Sequence, residues 1–171
     1  MEYLNDQYNL DLVPKDPYER AKGKLVLDII NKKIIPAYFR AVQAQEPDKQ
    51  TAGREEFIAA LKEFAEKLPK NDGPFYGGKT FGFVDIELAP WILRLVTETM
   101  ELIGARLYIL EKHRELKLPT TGEAWKRFGE WADAVKKRDS VWKTRSEDQY
   151  YEQVSLRVFA LLMLDLLAIS Q

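Results

Sequence analysis

The segment that decides the fold is GPFYGGKTFGFVDIELAPW, residues 73–91, because it supports two opposite readings. Gly73, four residues and then the Gly-Lys-Thr of residues 78–80 match the pattern G-x-x-x-x-G-K-[ST], whose backbone amides cradle nucleotide phosphates. Asp85 follows closely and resembles the acid that holds magnesium at a strand end. A phosphate loop, however, links a buried strand to a helix within a parallel sheet. The elements around the segment therefore decide which reading holds.

The sequence before this segment is typical of a helix. In residues 53–68 apolar side chains recur every three or four positions, acids fill the first turn, and Pro69 follows the end. Pro74 removes a backbone donor inside the would-be phosphate cradle, and Asp85 is too near Thr80 to come from a separate strand. We therefore interpret the segment as a glycine-rich connector between two helices, and we expect no nucleotide to bind it.

Helical periodicity extends over most of the chain. Four further stretches repeat apolar residues with a spacing near the helical period. They cover residues 18–45, 84–105, 123–138 and 147–169. Pro36 should kink the first, and the second, which contains Pro90, is more apolar than the two helices before it and should be central. No run of the sequence alternates apolar and polar residues strictly, so the predicted fold class is all-α.

The connector also marks the start of the central helix. With Gly82 as the N-cap, Asp85 is the third helical residue, and its carboxylate can reach back to the Gly82 backbone N–H. Gly82 and Asp85 thus form half of a capping box. We expect Asp85 to be at least partly buried and structural, with its removal costing about 1 kcal/mol or more.

Composition excludes several classes of function. The 26 Lys+Arg and 27 Asp+Glu nearly balance, so no global charge favours nucleic acid or an anionic membrane. The absence of cysteine excludes disulfides, thiolate metal sites and a cysteine nucleophile. His113 is the one histidine, and its charged neighbours indicate a surface residue, whereas a zinc site needs convergent ligands. We therefore predict no metal site and no nucleic-acid partner.

The two ends of the chain differ in polarity. The N-terminal MEYLNDQYNL carries acids where a secretory signal has basic residues, so no targeting segment is expected. Residues 158–169, VFALLMLDLLAI, are apolar nearly all round, but they are fewer than the roughly 20 residues that span a bilayer. A buried terminal helix is the simplest reading; a membrane-associating tail and a partner-binding helix are the alternatives. We expect a cytoplasmic protein without a membrane span.

Three segments of the chain carry a family resemblance: residues 2–24 with the linker-like LVPKDPYERA, residues 73–95, and residues 128–152. In this order they resemble the C-terminal half of glutathione transferases, and most closely the omega-like class common in fungi. Residues 73–95 are similar to the family segment G-x-x-F-[ST]-x-x-D-x-x-L-x-P. The resemblance implies a five- to six-helix orthogonal bundle over residues 15–171. Residues 1–14 would be a remnant of the linker and last helix of a missing thioredoxin-like domain. Gly82 departs from the Ser or Thr that the family has at this N-cap.

The resemblance also implies where a ligand would lie. In omega-like relatives the electrophile lies between the two domains, and the matching positions here are Arg94, Tyr150 or Tyr151, and Tyr18. Each has a structural alternative: Arg94 can pair with an acid, the two later tyrosines can pack in the core, and Tyr18 and Arg20 can serve the linker alone. No catalytic residue is implied here, because the family's nucleophile lies in the thioredoxin-like domain.

The implied function is that of an omega-like glutathione transferase, in which this chain provides the electrophile-binding half for glutathione conjugation or glutathione-dependent reduction of small molecules. Glutathione is the implied co-substrate, but most of its binding site would lie outside this chain, so whether the chain alone is an enzyme stays open. A homodimer or a thioredoxin-like partner domain is also implied. The alternatives are a non-catalytic protein-interaction module of the same fold and a truncated, inactive gene product.

Overall fold

The computed structural model describes residues 2–70, 72–95 and 115–144, with side chains in the second range described as far as Trp91. The helices are α1 (Glu2–Tyr8), α2 (Pro17–Ile29), α3 (Ile35–Gln43), α4 (Pro47–Lys67), α5 (Phe83–Leu95), α6 (Glu123–Lys137) and α7 (Asp139–Trp142). A π-helical turn, Ile30–Ile34, joins α2 to α3. In this part of the chain, β-pairing is limited to two isolated bridges within the glycine-rich connector. The all-α prediction is confirmed.

Pro36 is accommodated by the π-helical turn that precedes it. A proline inside a helix has no N–H, and its ring clashes with the carbonyl four residues earlier, which belongs to Lys32 here. In the turn, the backbone N–H of Ile35 donates instead to the carbonyl of Ile30, five residues back. Such a widened turn relieves the clash locally. The sequence predicts a kink at Pro36, and the structure has a π-helical turn directly before this residue.

Helices α3 and α4 form a closely packed antiparallel pair. Lys33 Nζ lies 2.7 Å from Glu63 Oε2 at one end of the pair. Toward the other end a Cβ added at Gly53 would lie 2.9 Å from the Cα of Ala41, so the two backbones are nearly in contact. Helix α4 begins at Pro47, earlier than the predicted start at Gly53, because proline is well suited to the first helical position.

Helix α5 packs against both α2 and α6, and Leu88 is fully buried. The central position that its apolar sequence predicts stays a prediction, because part of the chain lies outside the description. The ring of Phe83 lies over Gly23 of α2, where an added Cβ would be 2.3 Å from the ring atom Cζ. Helices α4 and α6 meet through Phe64 and Trp131, whose ring centroids are 5.0 Å apart. The N-terminus of α5 is therefore enclosed by packed helices.

Two of the predicted helices extend beyond the described residues. Helix α5 is described to Leu95, so its predicted end near Ala105 lies outside the description, and so does the whole predicted helix over residues 147–169. Helix α6 ends at Lys137, within one residue of its predicted end. No described helix combines the length and the apolar character that crossing a bilayer requires.

Candidate functional site

The glycine-rich connector folds into a tight turn that uses its own backbone amides. The N–H of Phe75 donates to the carbonyl of Gly78 at 3.0 Å, and the N–H of Gly78 donates back to Phe75 at 3.1 Å. A Cβ at Gly73 would lie 2.1 Å from the carbonyl carbon of Gly78, and Gly78 has a φ of 83°, so both positions require glycine. The glycines that imitate a phosphate loop therefore serve a chain crossing, and these amides are not available to hold a phosphate.

Asp85 is the centre of the hydrogen bonding around this connector. Its Oδ2 accepts the backbone N–H of Gly82 at 2.9 Å, and the Gly82 carbonyl accepts the N–H of Ile86 at 2.9 Å, which makes Gly82 the N-cap of α5. The predicted half of a capping box is confirmed. Asp85 is 0% exposed, so its burial is complete where the sequence indicates at least partial burial.

Two further donors to Asp85 come from distant parts of the chain and were not predicted. The backbone N–H of Tyr76 donates to Oδ1 at 2.8 Å, and the indole Nε1 of Trp131 donates to the same oxygen at 2.7 Å. Burial raises the pKa of the Asp85 carboxyl, while the hydrogen bonds from Gly82, Trp131 and Tyr76 oppose that rise. Asp85 thus joins the connector, the start of α5 and α6 at a single buried carboxyl.

Arg127 fixes the connector from the other side, through main-chain carbonyls. Its guanidinium donates to the carbonyls of Pro69, Gly73, Pro74 and Phe75 at distances between 3.1 and 3.3 Å. The five N–H donors of a guanidinium suit such a set of acceptors, whereas an ammonium group offers three in a different geometry. Arg127 therefore holds the segment from Pro69 to Phe75 against α6.

A second buried polar side chain, Asn5, organises the N-terminal segment. Its Oδ1 accepts the backbone N–H groups of Leu12 at 2.8 Å and Val13 at 3.2 Å. The carbonyl of Leu12 in turn accepts the N–H of Phe83, the first residue of α5, at 2.9 Å. The segment between α1 and α2 is therefore tied to the same helix start that Asp85 caps.

The structure describes the side chain of one of the four predicted ligand-contacting residues. Tyr18 is the second residue of α2, and its side chain is 71% exposed. Arg94 belongs to the last turn of α5, but its side chain lies outside the description, and Tyr150 and Tyr151 lie outside the described residues. The side chain of Arg20 donates through Nε to the Pro14 carbonyl at 3.0 Å, as the linker reading expects.

Among the residues whose side chains the structure describes, six of the eight large exposed apolar side chains lie near the N-terminus. Within residues 3–25 they are Tyr3, Leu4, Tyr8, Leu10, Tyr18 and Leu25. We refer to these residues as the N-terminal apolar surface. A contiguous patch of exposed apolar side chains commonly marks a ligand site or an interface, whereas single exposed apolar side chains are normal.

Two open depressions flank the connector, and neither includes a predicted ligand-contacting residue. One, of about 640 Å³, is lined by Lys70, Asp72, Gly73, Pro74, Glu123, Lys126, Arg127 and Glu130. The other, of about 580 Å³, is lined by Pro74, Phe75, Ala134, Lys137, Arg138, Asp139 and Ser140. Among the described residues no group of three or more His, Cys, Asp or Glu side chains is arranged to hold a metal ion.

Comparison with known proteins gives consistent matches. Residues 36–134 match the family model described as "Glutathione S-transferase, C-terminal domain". Glutathione S-transferase U25 of Arabidopsis thaliana is 38% identical over 90 residues, which are 52% of this chain and 39% of that protein. Glutathione transferase Omega 3C of Trametes versicolor superposes with a TM-score of 0.68 at 34% identity, over 85% of this chain and 59% of the other.

A Tau class glutathione S-transferase of mango, Mangifera indica, also superposes, with a TM-score of 0.71 over 90% of this chain and 66% of the other. Its sequence identity is 21%, so this likeness concerns the fold alone. The match to the Arabidopsis relative covers well under half of that protein, and the match to the fungal structure covers about three fifths of it.

Proposed function

The chain belongs to the glutathione S-transferase C-terminal domain family, and from this premise we propose that it supplies the electrophile-binding helical half of an omega-like glutathione transferase. The observation that carries the proposal is the N-terminal apolar surface, which includes Tyr18 at the start of α2. In the proposal a thioredoxin-like domain covers much of this surface, and a small electrophile lies between that domain and α2. Exposed apolar side chains then have a ligand and a domain to cover them.

The omega-like class is the finer part of the proposal. It is supported by the fungal Omega 3C structure, which is 34% identical across most of this chain. It is also supported by the linker and connector motifs within residues 2–24 and 73–95. The Arabidopsis relative supports the family without this class, and the mango structure supports the fold.

Glutathione enters the proposal as the co-substrate of the whole enzyme. The chain contains no cysteine, and we assign glutathione binding and the nucleophile to a thioredoxin-like domain. Residues 1–14 are then the end of that domain and its linker, and residues 15–171 are the helical domain. The hydrogen bonds that tie Leu12 to Asn5 and to Phe83 support this division, because they would hold such a linker in one position on α5.

Side chains at three positions would contact the electrophile. The exposed ring of Tyr18 offers an apolar face and a hydroxyl at the start of α2. Arg94 would supply a positive charge from α5 to an anionic part of the ligand. Tyr150 or Tyr151 would supply a second aromatic ring. The chemical step would take place on the glutathione side of the site, so these residues would bind and orient the substrate.

A cytoplasmic location and a homodimer complete the proposal, both as expectations from the family. The dimer would use α2, α3 and α4, which correspond to the first two helices of the predicted domain. Sedimentation at micromolar concentration is expected to show a dimer. A monomer alone under those conditions would contradict this part of the proposal.

The proposal is tested by the binding of 1-chloro-2,4-dinitrobenzene, a small aromatic electrophile, to the purified chain without glutathione. Tyr18→Ala is expected to weaken binding by about fivefold, the effect of losing one aromatic contact. Tyr3→Ala is the matched control, because Tyr3 is 75% exposed on α1, on the thioredoxin-like side of the linker, and it should leave binding unchanged. Equal binding by wild type and Tyr18→Ala, or no binding at all, would contradict the proposal. A stable protein partner without electrophile binding would favour the interaction-module alternative.

A further inference from the structure

We propose that Ser140 is a phosphorylation site for a serine kinase that selects basic residues ahead of its target. Residues 136–141 read KKRDSV, so three consecutive cations precede the serine by two to four positions and an apolar residue follows it. Kinases commonly choose substrates by such charge patterns. The inference does not depend on the proposed transferase function, because it concerns the C-terminal end of α6 and not the proposed ligand site at the start of α2.

The structure places Ser140 at an exposed corner between two helices. Arg138 lies between α6 and α7 with an extended backbone, φ −74° and ψ 120°, and the side chains of Arg138 and Ser140 are both exposed. Helix α7 has four residues, and the backbone N–H groups of Val141 and Trp142 both donate to the carbonyl of Arg138 at 2.9 Å. A kinase would have to open this short helix locally to gain an extended segment, which would expose the buried side chain of Val141.

The basic side chains are already placed to hold the product. Arg138 Nε donates to Ser140 Oγ at 2.9 Å, and Lys143 lies one turn away, where its Nζ is 2.9 Å from Asp139 Oδ2. A phosphoserine carries a charge of about −1.5 to −2 and three acceptor oxygens, which pair strongly with guanidinium and ammonium groups. The open depression of about 580 Å³ beside Ser140, lined also by Lys137, leaves room for the added group.

Phosphorylation at Ser140 would be sensed at the start of α5. The guanidinium carbon of Arg138 lies 4.5 Å from the ring centroid of Phe81, and Phe81 directly precedes the N-cap Gly82. A cation over an aromatic ring near the surface is held more weakly than a guanidinium paired with a phosphate dianion. Pairing with the phosphate would shift the Arg138 guanidinium relative to the ring of Phe81, and this would change the packing next to the N-cap.

The reaction transfers one phosphoryl group from ATP. Ser140 Oγ forms a bond to the γ-phosphorus, the bond from that phosphorus to the β,γ-bridging oxygen breaks, and ADP leaves. The hydroxyl proton passes to a base of the kinase. No group is oxidised or reduced, and the kinase and magnesium ATP are the only further components.

The test incubates the folded 171-residue chain with the catalytic subunit of cyclic-AMP-dependent protein kinase and magnesium ATP, and locates phosphate by peptide mass spectrometry. Wild type should be modified at Ser140, and Ser140→Ala should abolish that incorporation. Arg138→Gln should slow it by about tenfold, as expected for the loss of one charge-assisted contact. Lys62→Gln, an exposed cation on α4, is the matched control and should change nothing.

Two outcomes would overturn the proposal. One is a folded chain that stays unmodified at Ser140 while the same chain unfolded in urea and diluted into kinase is modified. The other is incorporation that is equal in wild type and Ser140→Ala. Circular dichroism of each variant confirms that it is folded before the assay. Hydrogen exchange of the Phe81 and Phe83 amides should change on phosphorylation of wild type, and unchanged exchange would overturn the coupling to α5.

Discussion

The indole Nε1 of Trp131 donates a 2.7 Å hydrogen bond to Oδ1 of Asp85, across 46 residues of sequence. Both side chains are 0% exposed. The same oxygen accepts the N–H of Tyr76, and Oδ2 accepts the N–H of the N-cap Gly82. One carboxyl group therefore joins a loop, a helix start and a second helix, and its removal should be felt by all three.

Replacement of Asp85 by asparagine is expected to lower the free energy of unfolding by about 2–4 kcal/mol. The asparagine keeps one acceptor oxygen but sets an NH₂ donor against a backbone N–H donor in a fully buried position. Urea unfolding followed by tryptophan fluorescence measures the loss. Asp72→Asn, an exposed acid in the same connector, is the control and should change stability by less than about 0.5 kcal/mol. Equal effects of the two replacements would contradict the role of Asp85.

The stability that depends on Asp85 should change with pH in a defined direction. Burial raises the pKa of the Asp85 carboxyl in the folded chain above the usual 3.8. At a pH between 3.8 and this raised pKa, the folded chain therefore holds a proton that the unfolded chain has released. The contribution of Asp85 to the free energy of unfolding is therefore complete below the unfolded pKa and is lost as pH rises through the folded pKa. The difference between wild type and Asp85→Asn should shrink as pH rises above 3.8 and through the raised pKa of the folded chain. A difference that grows with pH would show that the hydrogen bonds outweigh burial.

Arg127 offers a test by chemical rescue. Arg127→Ala should destabilise the chain by about 1–3 kcal/mol, because it removes the hydrogen bonds that the guanidinium donates to four loop carbonyls. Low-millimolar guanidinium chloride should recover part of the lost melting temperature of this variant, whereas sodium chloride at equal ionic strength should not. Lys126→Ala, the exposed neighbour on α6, should show neither the loss nor the rescue. Identical responses to the two salts would contradict the role of the Arg127 guanidinium as a donor to these carbonyls.

Two glycines within helices should respond oppositely to alanine. Gly129→Ala should stabilise the chain by up to about 1 kcal/mol, because no atom lies within 4 Å of the added Cβ and alanine favours a helix. Gly23→Ala has the same helical benefit but must displace the buried ring of Phe83, which costs about 1–3 kcal/mol. Thermal melts of both variants decide the matter. Equal stabilisation by the two replacements would show that the Phe83 ring moves freely.

The features that follow from local spacing were predictable, and those that depend on distant contacts were not. The pairing of Gly82 with Asp85 involves residues three apart at a helix start, so the sequence pattern reveals it. Trp131 and Tyr76 contact Asp85 only because the bundle packs them together. The helical periodicity places Trp131 in a helix but does not indicate its hydrogen-bond partner. The acceptors of Arg127 are main-chain carbonyls, which have no sequence signature at all.

The same distinction explains why residues 73–80 match the phosphate-loop pattern without forming a phosphate loop. The pattern depends on glycine for backbone conformation, and a tight chain crossing at Gly73 and Gly78 needs glycine for the same reason. The surrounding helical periodicity, which extends over many residues, separates the two readings where the short motif cannot. For the candidate ligand site, the resemblance predicts Tyr18, and the structure shows that its side chain is exposed on α2.

The central claim is that these helices bind the electrophile while a thioredoxin-like domain supplies the glutathione chemistry. The most direct measurement is the glutathione-dependent turnover of 1-chloro-2,4-dinitrobenzene, compared between two proteins. One is the chain alone. The other is a fusion in which the thioredoxin-like half of Trametes versicolor Omega 3C is joined directly before Asn9. The account predicts no turnover above the uncatalysed rate for the chain alone, turnover for the fusion, and a raised KM when the fusion carries Tyr18→Ala. Robust glutathione-dependent turnover by the chain alone would contradict the account.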